Sequence, residues 1–200
     1  MKKKSNNDAE VMTDKHEIKQ SIDQKMEYTK RWNTISASKP DWDREKSEKY
    51  WEPGKRLIGT IRSYQYWHKR RGILSMIIQK ITVFRYRIWS IVTGADIPIN
   101  TVIGGGLLLT HPNGVVVHPD SIIGVNCLLF QQVTLGKGGK KPGAPILGGH
   151  VDVGAGAKIL GGIKIGNYVR IGANAVVLDD IPDYSTAVGI PARIIPIQNE

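Results

Sequence analysis

The sequence has little of what crosslinks a protein or sends it out of the cell. Its 200 residues include one cysteine, Cys127, and two phenylalanines. One cysteine cannot close an intrachain disulfide or supply a four-ligand zinc site, so we expect neither, and we expect a reducing, cytoplasmic location. The N-terminus has three lysines with no apolar segment behind them, so we expect no secretory signal.

Long uncharged apolar runs are also missing. The most apolar stretch, residues 73–92, contains Lys80, Arg85 and Arg87, and each would cost about 2.5–3.5 kcal/mol near a bilayer centre. We therefore expect no membrane-spanning segment. The net charge of +10 is not accompanied by a recognised DNA- or RNA-reading motif, so anionic ligands or lipid surfaces explain the charge better than nucleic acid does.

Three segments differ in composition. Residues 1–45 are polar and charged, which predicts a frayed or weakly helical arm without a chemical role. In residues 46–93 the apolar spacing predicts two helices, about 53–69 and 73–92, that form a helical cap. From residue 94 to residue 200 glycines, prolines and short aliphatic runs replace the helical pattern.

A repeat of six residues runs through this third segment. A second row of apolar or small residues follows the first at a spacing of four. Two extra residues between Leu109 and Val117 interrupt the period, which predicts an inserted loop around His111. The first row is Ile97, Ile103, Leu109, Val117, Ile123, Leu129, Leu135, Leu147, Val153, Ile159, Ile165, Ile171 and Val177; the second is Val151, Ala157, Ile163, Val169, Ala175 and Ile181.

Six residues make one short strand and a turn, and three such units close a triangular coil. The inward aliphatic side chains of one coil then stack on those of the next. A β-sandwich would instead show alternation with period two, broken at uneven intervals. The sequence therefore predicts a mainly β protein: a left-handed parallel β-helix of hexapeptide repeats, preceded by a small α-helical N-terminal region.

Residues 96–195 resemble serine acetyltransferases and the related bacterial polysaccharide O-acetyltransferases. The resemblance rests on four segments in order, 132–136 (QVTLG), 154–161 (GAGAKILG), 171–177 (IGANAVV) and 188–193 (VGIPAR). It implies an acetyl-CoA-dependent O-acetyltransferase that acts on a hydroxylated small molecule or glycan. It also implies a homotrimer or a dimer of trimers, with active sites between neighbouring subunits and acetyl-CoA along the coils.

The resemblance assigns a catalytic dyad to His111 and Asp96. Acetyl transfer to a hydroxyl needs a base near neutral pH, and histidine has an ordinary pKa of about 6.5. The aspartate would fix the imidazole tautomer and stabilise the imidazolium. The hydroxyl would then attack the thioester directly, with backbone N–H groups of glycine-rich turns binding the oxyanion. The alternatives are a solvated loop histidine and an aspartate that caps the preceding helix.

The resemblance also suggests where acetyl-CoA binds. Small residues at corresponding points of successive coils, Ala155 and Ala173, would let the pantetheine approach. Lys158 and Arg193 are candidates for binding the nucleotide phosphates, with solvated surface charge as the alternative. The loop 136–145 is expected to cover the cofactor as a flap. Its first two residues, Gly136 and Lys137, are expected to contact the cofactor.

Three other side chains have weaker assignments. Asn113 and His118 are expected to contact the acceptor, although His118 stands where serine acetyltransferases have a glycine and could be a turn residue. His150 lies outside both inward rows, so we expect it on a solvated outer face. Cys127 occupies an inward position and is expected in the core.

The residues around the expected acceptor differ from those of serine acetyltransferases. Gly143, Ala144, Thr110 and Pro119 stand where those enzymes have an arginine, a histidine, an aspartate and a glutamate. These departures favour a sugar hydroxyl of a capsular, exopolysaccharide or O-antigen precursor as the acceptor, with serine as the alternative. The basic, aromatic cap would then contact a membrane peripherally or pack between subunits.

Two further classes of function remain as alternatives. One is a β-helical scaffold that has lost catalysis, which the presence of both Asp96 and His111 disfavours. The other is a γ-class carbonic anhydrase, whose zinc needs three histidines placed across a subunit interface. His111, His118 and His150 do not show that pattern, so no metal is expected.

Overall fold

The computed structural model describes residues 34–49 and 51–196. Contacts group the chain into one unit from Met1 to Ile35 and a second from Ser36 to Glu200. Most of the predicted arm lies outside the described residues, and the division at 45 and 93 stays a prediction.

The second unit begins with a short 3-10 helix, Trp42–Glu45, and two α-helices follow it. Helix α1 spans Pro53–His68 and helix α2 spans Ile73–Thr93, within one residue of the predicted ends. Proline in the first turn of α1 suits a helix start, and Gly94 ends α2 in a left-handed conformation, with φ 63°. Of the helices that the structure describes, none has the length and apolarity needed to cross a membrane.

The strands that follow the helices are Val102–Ile103 (β1), Leu108–Leu109 (β2), Val116–Val117 (β3), Ile122–Ile123 (β4), Leu128–Leu129 (β5), Thr134–Gly136 (β6), Ile146–Leu147 (β7), Asp152–Val153 (β8), Lys158–Leu160 (β9), Lys164–Ile165 (β10), Arg170–Ile171 (β11), Val176–Val177 (β12), Ser185–Gly189 (β13) and Ala192–Pro196 (β14).

The first twelve of these strands pair in parallel and form three faces of a coil. Strands β1, β4, β7 and β10 make one face, β3, β6, β9 and β12 another. The third contains β2, β5, β8 and β11, extended by β13 and by β14, which pairs with β13 in antiparallel orientation. The predicted left-handed parallel β-helix, preceded by helices, is confirmed.

The core consists of the two predicted rows. Every residue of both rows is buried, and the most exposed of them, Ile103, is 8% accessible. Successive coils stack these aliphatic side chains into one continuous cluster. Cys127 is fully buried in that cluster, as predicted, and burial raises the pKa of its thiol to about 12.

Strand pairing locates two insertions in the coils. Partners are 18 residues apart where a coil is regular, as for Val116 and Thr134. They are 20 apart between Val102 and Ile122, which spans the loop around His111. They are 24 apart between β4 and β7, which spans the loop 137–145. Both the two-residue interruption and the glycine-rich loop were predicted.

Residues 36–45, here called the strap, lie against one corner of the β-helix, so the prediction of a frayed or weakly helical arm is wrong for them. The buried Asn126 makes this contact. Its amide nitrogen donates to the carbonyls of Ser36 (2.7 Å) and Lys39 (2.8 Å), and its oxygen accepts from the Asp41 N–H (2.8 Å). These bonds join groups about 90 residues apart in sequence.

Glu45, at the end of the strap, forms a second attachment. Its carboxylate accepts from the backbone N–H groups of Gly106 (2.7 Å) and Leu107 (3.1 Å). It also pairs with the guanidinium of Arg62 on α1 at 2.8 Å. Arg62 in turn donates to the Ile103 carbonyl at 2.6 Å. One charged pair therefore ties the strap, α1 and the first coil together.

His150 is buried at 1% exposure, so the predicted solvated position is wrong. Its ring lies 5.2 Å from the ring of Tyr168, edge to face, and Tyr168 stacks on Tyr184 at 4.9 Å. His150 has φ 54° and occupies a coil corner that the strap covers, because the Ala37 N–H donates to the Tyr168 hydroxyl at 3.1 Å. Corner positions face solvent only where nothing packs on them.

Candidate functional site

His111 lies exposed in the loop between β2 and β3, where the coil has its two extra residues. Backbone hydrogen bonds fix the loop on both sides. The Gly114 N–H donates to the Gly94 carbonyl in the coil before (2.9 Å), and the Asn113 carbonyl accepts from Gln132 N–H in the coil after (2.9 Å). Gly114 has φ 68°, which suits glycine. The loop is therefore a defined platform for the histidine.

Asp96 lies one coil before this loop, as predicted. Its backbone pairs with β3: the Asp96 N–H donates to Val115 and its carbonyl accepts from Val117, each at 2.8 Å. The carboxylate is exposed and lies near Tyr86, where burial, followed by the charge of Asp96, raises the pKa of the phenol.

The dyad itself stays a prediction. Gly94, rather than Asp96, ends helix α2, so the capping alternative for Asp96 finds no support. Within residues 34–49 and 51–196 the side chains of Asp96 and His111 are not joined by a hydrogen bond, although their backbones lie in neighbouring coils.

A cleft of about 260 Å³ opens beside this loop, at the start of α1. Glu52 and Lys55 form an ion pair in it at 3.0 Å, and Trp51 is 65% exposed. The Lys49 backbone N–H and the Lys55 ammonium hold the pKa of Glu52 at about 2. Its lining comprises Trp51, Glu52, Pro53, Gly54, Lys55, Leu108, Leu109 and Thr110.

Of the residues that line this cleft, the sequence had pointed only to Thr110 as a position near the expected acceptor. The proline after Glu52 is typical of a helix start, so Glu52 and Lys55 gave no sign of a binding site. The structure brings them to β2 because α1 packs against the first coil.

His118 lies in the turn after β3. Its Nδ1 accepts from the Asp120 N–H at 3.1 Å, which accounts for one ring nitrogen as a turn contact. The Asp120 carboxylate pairs with Lys137 at 2.9 Å, and Lys137 lowers the pKa of Asp120. Acceptor contacts by His118 and by the exposed Asn113 stay predictions. In the part of the chain that the structure describes, no cluster of ligating side chains could hold a metal ion.

Ala155 and Ala173 occupy the same corner of adjacent coils. The Asn174 N–H donates to the Ala155 carbonyl at 2.8 Å, and the Gly156 N–H donates to Gln131 at 2.9 Å. The bond between Gln132 and Asn113 continues this ladder up to the His111 loop. This corner, here called the lane, runs along the coils from the candidate base, with small residues at Ala155 and Ala173 and two glutamines, Gln131 and Gln132, next to the His111 loop. Contact of the lane with the pantetheine stays a prediction.

The two predicted phosphate partners differ in their surroundings. The Lys158 ammonium donates to the Gln132 carbonyl (2.6 Å) and the Thr134 hydroxyl (3.1 Å), so it is engaged with its own coil. Arg193 is exposed on β14, where it pairs with Val188. Of the two, Arg193 is the more accessible to an anionic ligand.

The loop 137–145, here called the flap, follows Gly136 and folds back over the next coil. Two ion pairs hold it, Lys140 with Asp179 (3.0 Å) and Lys141 with Asp180 (2.7 Å). The backbone also contributes, because the Gly162 N–H donates to the Lys141 carbonyl at 3.1 Å. All of these ion-pair side chains are about half exposed or more, so each pair alone contributes little.

Comparison with known proteins shows which proteins this chain resembles. No family model matches the chain. Serine acetyltransferase from Staphylococcus xylosus is 40% identical over 135 residues, which cover 66% of this chain and 59% of that protein. The Synechococcus elongatus serine acetyltransferase is 49% identical over 107 residues, covering 52% and 44%.

Solved structures agree with the sequence matches. A serine acetyltransferase in complex with CoA has 35% identity and a TM-score of 0.60, over 73% of this chain and 58% of that one. The soybean apoenzyme has 37% identity and a TM-score of 0.60, over 72% and 57%. The chain is a hexapeptide-repeat relative of the serine acetyltransferases. It spans less than two thirds of the length of these relatives.

The match to serine acetyltransferases confirms the resemblance read from the four segments. All the relatives named above are serine acetyltransferases. They therefore support the serine alternative better than the sugar acceptor favoured by the sequence departures. The CoA complex supports the prediction of acetyl-CoA as co-substrate.

Replacing Gly162 by alanine is expected to weaken the predicted binding of CoA about tenfold, comparable to losing one or two hydrogen bonds. A Cβ at this position would collide with the Pro142 carbonyl oxygen and displace the flap. Equilibrium dialysis with CoA measures the effect. Gly59→Ala is the matched control, because a Cβ on that helical glycine meets no atom within 4 Å. Unchanged affinity in Gly162→Ala would contradict a cofactor-covering flap.

Proposed function

We propose that this chain transfers an acetyl group from acetyl-CoA to the hydroxyl of L-serine. The observation that carries the proposal is the 40% identity to the S. xylosus serine acetyltransferase over 135 residues. The fixed loop that presents His111 one coil after Asp96 supports it. A scaffold without catalysis would have no need for a solvent-exposed histidine on a fixed loop beside a charged cleft.

His111 acts as the base in this proposal. The serine hydroxyl gives its proton to the imidazole while its oxygen attacks the thioester carbonyl. Backbone N–H groups bind the oxyanion of the tetrahedral intermediate. The C–S bond then breaks, and the departing CoA thiolate takes the proton from the imidazolium. O-acetylserine and CoA are the products, and His111 returns to its starting state.

Acetyl-CoA fits the lane along the coils. Ala155 and Ala173 leave space at successive corners, and the flap, which carries three lysines, closes one side. The accessible Arg193 is suited to a phosphate. These contacts are the proposed cofactor site, together with Gly136 and Lys137 at the start of the flap.

The cleft at the start of α1 is the proposed serine site. Serine has an ammonium and a carboxylate, and the cleft offers Glu52 and Lys55 as partners of opposite charge 3.0 Å apart. This pair would take over the role of the four missing charged positions, including Gly143 and Ala144. A sugar hydroxyl is the second candidate, because the exposed Trp51 in the same cleft offers a surface for stacking.

Thiol release from acetyl-CoA is the assay, with L-serine in one series and nucleotide sugars or short oligosaccharides in the others. We expect release with serine. Glu52→Gln is expected to raise the KM for serine about tenfold or more and to change kcat little, because it removes a binding charge rather than the base.

Glu48→Gln, an exposed carboxylate in the same connection, is the matched control. Release only with a saccharide, abolished by Trp51→Ala, would favour the sugar reading. Release with serine at an unchanged KM in Glu52→Gln would remove Glu52 from the site.

We infer that the active sites lie between subunits of a homotrimer or a dimer of trimers. An apolar column on the face of β1, β4 and β7 supports a subunit contact: Val102, Ile122 and Ile146 point outward and are 60%, 39% and 39% exposed. A β-helix face of this kind needs a covering partner. The cytoplasmic location stays a prediction.

A further inference from the structure

Helix α2 packs on α1 through its polar side chains. The Ser75 hydroxyl donates to the Trp67 carbonyl at 2.7 Å, and the Gln79 amide donates to the same carbonyl at 3.3 Å. Farther along, the hydroxyls of Thr82 and Ser63 lie 3.3 Å apart. Ser75 and Thr82 are buried. The first half of the inner face of α2 is therefore held by hydrogen bonds, and farther along Tyr86 and Trp89 pack against the core.

The opposite face of α2 is apolar and exposed. We call it the outer stripe, and it extends over 19 residues, about 27 Å of helix. Its members recur every three or four residues and are between 42% and 82% exposed. They are Ile73, Ile77, Ile81, Phe84, Ile88 and Ile91. A surface helix usually turns its apolar stripe toward the core, whereas α2 packs Tyr86 and Trp89 inward and still exposes this stripe. Exposed apolar patches of this size mark interaction surfaces.

The charges around the outer stripe all have one sign. Between residues 53 and 95 there are nine lysines and arginines and no aspartate or glutamate. Lys80 and Arg87 are exposed on one side of the stripe, and Arg85 is exposed on the other. Together with Phe84, the first two line a shallow cleft of about 480 Å³ between the helices.

We propose that α2 lies in the interface of a lipid bilayer with anionic headgroups, its outer stripe among the acyl chains. The flanking cations then meet the phosphates, and the apolar side chains leave water. A second copy of the chain is a poorer occupant, because it would place the same cations against each other with no carboxylate nearby. The outer stripe is separate from the lane and from the cleft at the start of α1, so this docking does not depend on which acceptor is acetylated.

Cosedimentation of the full chain with vesicles tests the proposal. Phosphatidylcholine vesicles that contain phosphatidylglycerol are expected to bind the protein at least about tenfold more strongly than pure phosphatidylcholine, and added salt should weaken the binding. The double variants Ile77→Glu/Phe84→Glu and Lys80→Gln/Arg87→Gln should each reduce it about tenfold or more. Ile195→Glu, on β14 with 53% exposure, is the matched control and should bind as the native chain does.

A dye at position 84 tests insertion directly. Cys127 is fully buried and burial raises its thiol pKa to about 12, so a thiol-reactive dye labels Phe84→Cys selectively in the folded protein. Anionic vesicles should shift the dye emission to shorter wavelength, and lipids brominated in their acyl chains should quench it. The same dye on Ile195→Cys should do neither.

Three results would overturn the proposal. The first is a native chain that binds neither kind of vesicle. The second is binding that survives Ile77→Glu/Phe84→Glu but is lost in Lys80→Gln/Arg87→Gln, which would mean adsorption by charge without insertion. The third is a dye already shielded at position 84 without vesicles, together with a smaller sedimentation mass in the glutamate variant, which would identify a second copy on the stripe.

Discussion

Replacing His111 by alanine is expected to lower kcat for acetyl transfer about 10²- to 10⁴-fold, the usual contribution of a general base. The loop that carries the imidazole is held by backbone groups of Gly114 and Asn113, so losing the side chain leaves the loop in place. CoA binding should therefore change little, since Ala155 and Ala173 lie on later coils. Steady-state thiol release and equilibrium dialysis measure the two quantities separately.

Asp96→Asn is expected to cause a smaller loss of kcat, about tenfold or more, because the Asp96 carboxylate orients the base and does not itself take the proton. His68→Ala is the matched control: this exposed histidine of α1 contacts Gln79 and stacks on Tyr64, and it belongs to neither the lane nor the cleft at the start of α1. Near-normal kcat in His111→Ala would end the assignment of the base. A large loss of CoA affinity in the same variant would mean that the histidine binds cofactor.

The β-helix could be predicted in detail because its information is local. A residue such as Val153 is inward because of its position in the six-residue period, and the same period gives the register with the next coil. The interruption before Val117 shows in the sequence where the extra residues lie, and the structure has the His111 loop there. Along this segment the six-residue period therefore determines both the apolar pattern of the sequence and the packing of the core.

The strap and His150 could not be predicted because their contacts join distant residues through single polar groups. Asn126 bonds three backbone groups of the strap, and backbone groups leave no pattern in the sequence. His150 was assigned to solvent from its corner position alone. Its burial depends on Tyr168 and on Ala37, which is more than 100 residues away.

Helix α2 illustrates a different limit. The apolar period predicted the helix within a residue of its ends, but it did not reveal which face packs inward. Hydrogen bonds from Ser75 and Gln79 to α1, with the packing of Tyr86 and Trp89 on the core, fix the inward face and leave the outer stripe exposed. The candidate site has the same limit, since the period places Asp96 and His111 in neighbouring coils without determining how their side chains meet.

Replacing Asn126 by alanine is expected to reduce the free energy of unfolding by about 2–4 kcal/mol. Its amide satisfies two carbonyls and one N–H of the strap, and losing several such bonds at a buried position costs on the order of 1 kcal/mol or more for each group left unpaired. Alanine also tolerates φ 58° less well than asparagine does. Urea unfolding of the full chain, followed by circular dichroism, measures the change.

Asn174→Ala separates the contribution of the strap contacts to stability from that of the backbone conformation. Asn174 has φ 56° at another coil corner and is exposed, so its replacement includes the conformational cost, about 1 kcal/mol, without a strap contact. The excess loss in Asn126→Ala then belongs to the strap. Because the strap is anchored beside α1, through Glu45 and Arg62, loosening it should also disturb the cleft at the start of that helix. Equal losses in the two variants would mean that the strap adds nothing to stability, and that Asn126 serves only its own turn.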